Sequence, residues 1–211
     1  MSRDNKRSHN KQANRSAIVD AARECFLGLG YDAVTIRDIV RVSGLAPGTF
    51  YNYFPSKESL FREILEERIN ELTGRMHAIR VSAPNLEAFI HGTFHALFSR
   101  IVEDPSFFRL VLRNEHAVRT LFSETVIGIP MRALTEDLHA AIARKLLPEQ
   151  LDVELLAASF FGIGFEIGRV LAQREAADAE AAARFATKLL QEGVQAFGMT
   201  GLMALLRRKL V

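Results

Sequence analysis

Residues 35–60 read T-I-R-D-I-V-R-V-S-G-L-A-P-G-T-F-Y-N-Y-F-P-S-K-E-S-L, and this stretch decides the fold of the chain. Thr35 is an N-cap candidate, with Asp38 three residues later, and the isoleucines and valine that follow supply a buried stripe. Gly44 ends this helix because glycine accepts the left-handed backbone found just past a helix C-terminus. The pattern predicts a short helix over 35–42 and then a turn.

A second short helix is predicted over 47–53. Proline costs nothing in its first turn, because the missing N–H would be unpaired there anyway. Phe50 and Phe54 are four residues apart and are both expected to point inward. Pro55 cannot easily continue the helix, and Ser56 caps the next one. The two helices and their turn form a helix-turn-helix of the kind that reads DNA, with polar groups on the outer faces at Thr49, Tyr51, Asn52 and Tyr53.

Two segments resemble a known family. These are G-T-F-Y-N-Y-F-P-S-K-E-S-L over 48–60 and A-A-R-E-C-F-L-G-L-G-Y-D-A-V-T-I-R-D-I over 21–39. Both closely resemble the signature of the tetracycline-repressor (TetR) family of one-component regulators, and the match is specific because it links several positions. The remaining two thirds of the chain contain no matching motif, which the resemblance implies for a variable ligand-binding part.

The resemblance also implies which residues meet DNA. We expect phosphate contacts from Thr35, Tyr51, Tyr53 and Lys57. Base edges are expected to be read by Arg37, Thr49 and Asn52. The expected DNA-binding set also includes the residues at the start of the second short helix, Ala46, Pro47 and Gly48.

Charge is uneven along the chain. The net charge is +2, but residues 1–62 hold 10 Lys and Arg against 6 Asp and Glu. Residues 1–15 are basic, and the Ser, Asn and Gln residues between the basic ones cannot form a hydrophobic core, so we expect a disordered arm. Such an arm either reaches phosphates or the minor groove beside the helix-turn-helix, or is a solvated terminus without function.

The periodicity is helical throughout, with no strand-like alternation and no internal repeat. The sequence predicts an all-α fold, in which a three-helix DNA-binding domain is joined by a linker helix to a helical ligand-binding and dimerisation domain. The expected boundaries are 1–15 for the arm, 16–62 for the DNA-binding domain and 63–211 for the helical body. Helices are expected at 16–28, 35–42, 47–53, 57–78, 85–103, 106–121, 130–147, 151–174 and 179–197.

A dimer surface is predicted on the last two long helices. One stripe carries Ala182, Phe185, Ala186, Leu189 and Gly193, with Ala196 and Phe197 beyond. The preceding helix carries a narrow strip of polar or small residues. Its polar groups either find hydrogen-bond partners across an interface or in a cavity, or they face solvent. The strip consists of Ser159, Gly162, Glu166, Arg169 and Gln173. The resemblance favours the interface, because these regulators typically form homodimers through their last two long helices.

An apolar ligand cavity is also expected in the body. Of the 15 Phe residues, 11 lie after residue 84. This density suits a cavity between helices, although Phe at helical spacing is more often plain core. The expected walls are Phe94, Phe98, Phe108, Phe161 and Phe165, with His95 or Glu166 as a polar anchor.

Other chemistry has little support in the sequence. His91 and His95 have a metal-compatible spacing, but without a Cys or carboxylate pattern they are expected to be ligand contacts or core residues, and no metal or cofactor is expected. No Gly-rich phosphate loop or nucleophile elbow indicates an enzyme. Cys25 falls on a buried stripe and is interpreted as a core residue. The apolar stretch Leu155–Phe165 is too short for a membrane span, so a cytoplasmic protein is expected.

The sequence therefore predicts a homodimeric transcription repressor. It is expected to bind a near-palindromic double-stranded DNA operator and to be released by an apolar small-molecule effector. The alternative is a small-molecule carrier or metal-binding helical protein that does not bind an operator. The intact run Thr49-Phe50-Tyr51-Asn52-Tyr53 and the basic arm favour the repressor.

Overall fold

The structure, a computed structural model, describes the backbone of residues 3–209 and the side chains of residues 8–46 and 48–194. Over this backbone the chain forms helices and turns with no strand, so the all-α prediction is confirmed. The helices are α1 (Arg3–Gly28), α2 (Ile36–Ser43), a 3₁₀ segment (Pro47–Asn52), α3 (Lys57–Ser82), α4 (Leu86–Glu103), α5 (Pro105–Arg113), α6 (Glu115–Leu121), a π turn (Glu124–Gly128), α7 (Ile129–Ala143), α8 (Val153–Gln173) and α9 (Ala179–Lys209).

The chain divides into two compact units. The head unit contains Met1–Arg68 and Arg109–Val126, and the body unit contains Ile69–Phe108 and Ile127–Val211. Helices α3 and α5 each run from one unit into the other. The predicted boundaries differ from these, because the whole of 63–211 was expected to form the body, whereas 63–68 and 109–126 group with the head.

An aromatic cluster explains why residues 109–126 belong to the head unit. The Phe122 ring lies 5.5 Å from that of Tyr31 and 5.1 Å from that of Phe61, edge-on to both. Phe26 packs against Phe61 at 4.7 Å and against Tyr31 at 5.7 Å. All four side chains are buried, so this cluster supplies much of the hydrophobic stabilisation of the head.

Asn114 divides the single helix predicted over 106–121 into α5 and α6. Its side-chain amide nitrogen donates to the carbonyls of Phe26 and Leu110, at 3.2 and 2.7 Å. Its side-chain oxygen accepts from the backbone N–H of Tyr31. A buried amide with three partners fixes the chain at this point, which explains why the helix is interrupted there.

The first helix begins earlier than the sequence predicted. Residues 3–15 continue α1, so the expected disordered arm is not observed over this part of the chain. Lys, Arg, Gln and Ala are good helix formers, and the arm extends a helix already held by its buried C-terminal half. Cys25 is buried as predicted. Leu29 is 54% exposed because it lies beyond the last helical residue, Gly28.

The body unit is built around α4, which packs on α8 and on α9. The Phe94 ring stacks on that of Phe98 at 5.6 Å and on that of Phe160 at 5.4 Å. A Cβ atom at Gly168 would lie 2.8 Å from the terminal methyl group of Ile101 and 3.1 Å from the Phe108 ring, so a larger residue at this position would require those side chains to shift. The body core is therefore an aromatic layer covered by small residues of neighbouring helices.

Helix α8 is predominantly apolar. Val153–Gln173 is long and apolar enough to cross a membrane by length and composition, and it exceeds the stretch 155–165 identified in the sequence. A single such helix is weak evidence for a membrane, because core helices pass the same test. One face of α8, including Ala157 and Phe160, is buried in the body core.

Candidate nucleic-acid interface and effector site

The predicted cap of α2 is confirmed. The Asp38 backbone N–H donates to the Thr35 hydroxyl oxygen at 3.2 Å, and the Thr35 backbone N–H donates to an Asp38 carboxylate oxygen at 3.0 Å. The Thr35 hydroxyl also donates to an Asp38 carboxylate oxygen at 2.6 Å. This hydrogen bond first, and the one from the Thr35 backbone second, hold the pKa of the Asp38 carboxyl below its ordinary value. Gly44 ends α2 in the left-handed conformation, with φ of 68°. Local sequence chemistry thus fixes the first half of the helix-turn-helix.

The second half is a 3₁₀ segment instead of the predicted α-helix. The Thr49 backbone N–H donates to the Ala46 carbonyl at 2.9 Å, and that of Tyr53 donates to the Phe50 carbonyl at 2.9 Å. Pro47 and Gly48 in the first turn, aromatic residues in the second and Pro55 beyond it leave too little length for a stable α-helix. Phe50 and Phe54 are buried as predicted and anchor the segment.

The predicted DNA contacts lie mostly on the surface of the head unit. Tyr51 is 62% exposed, and its ring lies edge-on to the buried Phe50 ring at 5.4 Å. Arg37, Ala46, Gly48 and Asn52 are exposed, and Thr49 and Tyr53 are half-buried, while the Pro47 side chain lies outside the described residues. The Thr35 hydroxyl is already bonded to Asp38.

Lys57, the predicted phosphate ligand, is bonded within the head unit. Its ammonium group donates to the carbonyls of Tyr31 and Val34, at 2.6 and 2.8 Å, and lies 4.3 Å from the centre of the Tyr31 ring. Burial lowers the pKa of this ammonium group. Lys57 therefore ties the start of α3 to the loop before α2 and has at most one N–H left for DNA.

Arg15, from the predicted basic arm, also bonds within the head unit. Its guanidinium forms an ion pair with Glu63 and lies 5.2 Å from the centre of the Phe54 ring. Lys11 is exposed on the same helix. Of the five basic residues at 3–15, the side chains of Arg3, Lys6 and Arg7 lie outside the described residues.

The predicted pocket walls fall into two groups within the body unit. Phe94 and Phe98 are fully buried and packed ring on ring. Phe108, Phe161 and Phe165 are half-buried, with the Phe165 ring 5.5 Å from that of Phe108 and 6.2 Å from that of Phe161. The first group forms closed core in this conformation, and the second forms its accessible edge.

Neither predicted polar anchor points into this core. Glu166 is exposed and pairs with Arg169 one turn along α8, at 2.8 Å. His95 is 47% exposed, and its ring stacks on that of His91. Both histidines lie near one carboxylate oxygen of Glu180 on α9, at 3.3 and 3.5 Å. Both anchors are polar surface residues because they lie on the outer faces of α8 and α4.

A pair of buried charged residues in the body was missed by the sequence analysis. The Arg80 Nε atom donates to Asp137 Oδ2 at 2.7 Å, and the two side chains are 2% and 4% exposed. The other Asp137 oxygen lies 2.7 Å from His77 Nδ1. The only sequence signal was one Asp on the apolar face of α7, beside Leu134, Leu138 and Ala141.

The predicted dimer stripe on α9 is divided between two faces. Ala183, Ala186 and Leu190 are buried in the body core, so Ala186 is not free to meet a second chain, and Ala182 is half-buried against the core. Phe185 and Leu189 are 64% and 55% exposed, and Gly193 is exposed beside them. On α8, all five residues of the predicted strip are exposed: Ser159, Gly162, Glu166, Arg169 and Gln173.

Comparison with known proteins identifies the family. Residues 18–64 match the family described as "Bacterial regulatory proteins, tetR family". The chain is 32% identical over 150 residues to the HTH-type transcriptional repressor KstR2 of Mycolicibacterium smegmatis, covering 68% of this chain and 72% of the relative. It is 33% identical over 91 residues to KstR2 of Rhodococcus jostii, and this match spans 45% of that protein.

Solved structures share the fold. The transcriptional regulator FadR from Bacillus subtilis, in complex with stearoyl-CoA, matches with a TM-score of 0.67 and 22% identity, over 83% of this chain and 96% of that chain. KstR2 of Mycobacterium tuberculosis matches with a TM-score of 0.65 and 21% identity, over 85% and 94%. The chain belongs to the TetR family of DNA-binding transcriptional regulators.

Proposed function

We propose that this chain is a homodimeric repressor that binds a near-palindromic operator in the cytoplasm and releases it when an apolar effector enters the body unit. The exposed polar face of the 3₁₀ segment carries the DNA-binding part of the proposal. The buried Phe50 and Phe54 side chains anchor the segment in the head unit, and Tyr51 and Asn52 are exposed to solvent. A rigid short segment with outward amide and phenol groups suits the major groove.

Two-fold symmetry follows from the small reach of this segment. Six residues contact too few bases for a specific site, and two symmetric copies double the number of bases read. The exposed Phe185 and Leu189 on α9, together with the small and polar strip of α8, are the proposed interface. Large apolar side chains exposed side by side are typical of interaction surfaces.

The effector class is proposed from the body core and the relatives. The core contains stacked phenylalanines with a half-buried edge at Phe108, Phe161 and Phe165. FadR of Bacillus subtilis was solved with stearoyl-CoA, and KstR2 of Mycobacterium tuberculosis is described as a ketosteroid regulator. A long apolar molecule is therefore the proposed effector. It releases DNA only if it binds the DNA-incompetent conformation more tightly.

The proposal is tested by operator selection. Genomic fragments retained by the purified protein are sequenced, and affinity for the recovered site is measured by fluorescence anisotropy with and without long-chain acyl-CoA or a ketosteroid. We expect a near-palindromic site bound by one dimer, and about 5–150-fold weaker binding with the effector. Recovery of no preferred sequence would instead support a carrier that does not bind an operator.

A further inference from the structure

Two buried donor groups on the inner face of α3 have no hydrogen-bond partner among the residues that the structure describes. The Nη2 atom of Arg80 and the hydroxyl oxygen of Thr73 are both buried and unpaired. The two side chains are 2% and 9% exposed. Residues seven apart lie on one face of an α-helix, two turns from each other, so both donors belong to one stripe of α3. Both also lie in the part of α3 that belongs to the body unit.

The Asp137 carboxylate bonds to both Arg80 and His77. His77 lies on α3 between Arg80 and Thr73, one helical turn from each. One carboxylate oxygen accepts from Arg80 Nε at 2.7 Å, and the other lies 2.7 Å from His77 Nδ1. Side chains of a helix lean towards its N-terminus, so the guanidinium extends over the His77 turn. Nη2 and the Thr73 hydroxyl both lack an acceptor, and two oxygens of one head group at hydrogen-bond distances of about 2.9 Å would supply it.

The charge at this position favours an anion. Asp137 uses both of its oxygens on His77 and Arg80, so it has little capacity left for the second arm of the guanidinium. The Arg144 guanidinium lies at the C-terminal end of α3, where it donates to the carbonyls of Val81, at 2.8 Å, and of Ala83. Burial lowers the pKa of Arg80, which reflects the loss of water around its charge.

The surroundings of the ion pair are apolar. Asp137 lies on the buried stripe of α7 beside Leu134 and Leu138, both in the body core with Phe94 and Phe98. An unpaired charged donor in such a place is costly unless a water molecule or ligand oxygen satisfies it. A ligand with an acidic head group and an apolar tail would accept a hydrogen bond from Arg80 Nη2 and bury its tail against the apolar core of the body unit.

We propose that the effector of this protein is an apolar carboxylic acid or a close anionic analogue, whose head group accepts hydrogen bonds from Arg80 Nη2 and from the Thr73 hydroxyl. This inference rests on the proposed function and specifies the effector class. Because Thr73 and Arg80 lie on α3, which continues into the head unit, binding of the acid would act directly on the helix that follows the 3₁₀ segment.

The test uses the full-length protein and two probes of equal chain length, dodecanoate and the neutral dodecan-2-one, measured by isothermal titration calorimetry. We expect dodecanoate to bind at least about tenfold more tightly, as a charge-assisted hydrogen bond implies. Arg80→Lys keeps a positive charge for Asp137 but lacks the second arm, and it should weaken dodecanoate binding by about tenfold.

A second variant keeps the test valid if Arg80→Lys folds poorly. Thr73→Val removes an unpaired hydroxyl, so the fold should be as stable as before or more stable, while dodecanoate binds about threefold more weakly. Thr187→Val is the matched control, because this buried hydroxyl already donates to the Ala183 carbonyl at 2.6 Å and it lies on α9. The control should leave dodecanoate affinity unchanged.

The proposal is overturned if the two probes bind equally or if the Thr73→Val and Arg80→Lys proteins bind dodecanoate like the wild type. It is also overturned if neither probe binds. Operator affinity of the ligand-free protein is measured in the same preparations. If the ligand-free wild type binds the operator but the acid does not bind, only the proposed effector class is wrong. If the ligand-free wild type binds no operator, the proposed function itself is refuted.

Discussion

The ammonium group of Lys57 donates a hydrogen bond of 2.6 Å to the backbone carbonyl of Tyr31, and it lies 4.3 Å from the centre of the Tyr31 ring. One side chain at the first residue of α3 therefore holds the loop that precedes the helix-turn-helix. Tyr31 also contacts Phe26, Phe61 and Phe122. The orientation of α2 and of the 3₁₀ segment is thus linked to the aromatic cluster of the head unit.

Replacing Lys57 with Met tests this link. The carbonyls of Tyr31 and Val34 lose their donor, so the free energy of unfolding should fall by about 1 kcal/mol, measured by urea denaturation. Lys11→Met is the control, since Lys11 is exposed on α1. Equal losses in the two variants would show that the Lys57 hydrogen bonds do not stabilise the head.

Asn114→Ala should be more damaging. It leaves the Tyr31 N–H and the carbonyls of Phe26 and Leu110 without their side-chain partner inside the head unit. We expect a loss of about 1–3 kcal/mol in the free energy of unfolding and weaker operator binding. Asn70→Ala, at an exposed position of α3, is the control. The assignment is wrong if thermal unfolding of the two variants coincides.

The structure also explains which features the sequence could predict. Thr35 with Asp38 and Phe50 with Phe54 interact within four residues, so local spacing was sufficient for the cap and for the buried anchors. Asn114 meets Tyr31 across 83 positions, and no periodicity encodes such a contact. The arm and the 3₁₀ segment were mispredicted because helix extension and helix shortening depend on the packing of neighbouring residues.

Two features of the body escaped the sequence for a similar reason. Helix α9 has apolar residues on adjacent faces, so periodicity alone did not show that Ala186 of the predicted dimer stripe packs into the core while Phe185 stays exposed. The Arg80–Asp137 pair joins residues 57 positions apart. The polar strip of α8 suggested Glu166 as an anchor, but long-range packing turns Glu166 to the surface and buries Arg80 instead.

The cap of α2 predicts a pH dependence. The pKa of Asp38 is lowered in the folded state, so its contribution to stability is present above the unfolded pKa and is lost as pH falls through the folded one. The difference in unfolding free energy between the wild type and Asp38→Asn should therefore shrink as the pH falls from about 5 to about 2. A difference that stays constant over this range would exclude the carboxylate as the stabilising group.

Gly162→Glu tests the dimer surface. A Cβ at Gly162 has no atom of the described residues within 4 Å, so the fold should tolerate the substitution. In a close interface the added charge would be buried and unpaired, and light scattering should show monomers. Ala140→Glu, on the exposed face of α7, should remain dimeric. A dimeric Gly162→Glu protein would move the interface away from this face of α8.

Base reading by the 3₁₀ segment is the central claim, and the affinity of Asn52→Ala and Tyr51→Phe for the selected operator and its single-base variants tests it most directly. Both side chains are exposed beside the buried Phe50. Tyr51→Phe removes a phosphate contact and should weaken all sequences similarly. Asn52→Ala should lose about 1–3 kcal/mol of discrimination at one base pair. An Asn52→Ala protein with unchanged sequence preference would contradict the account.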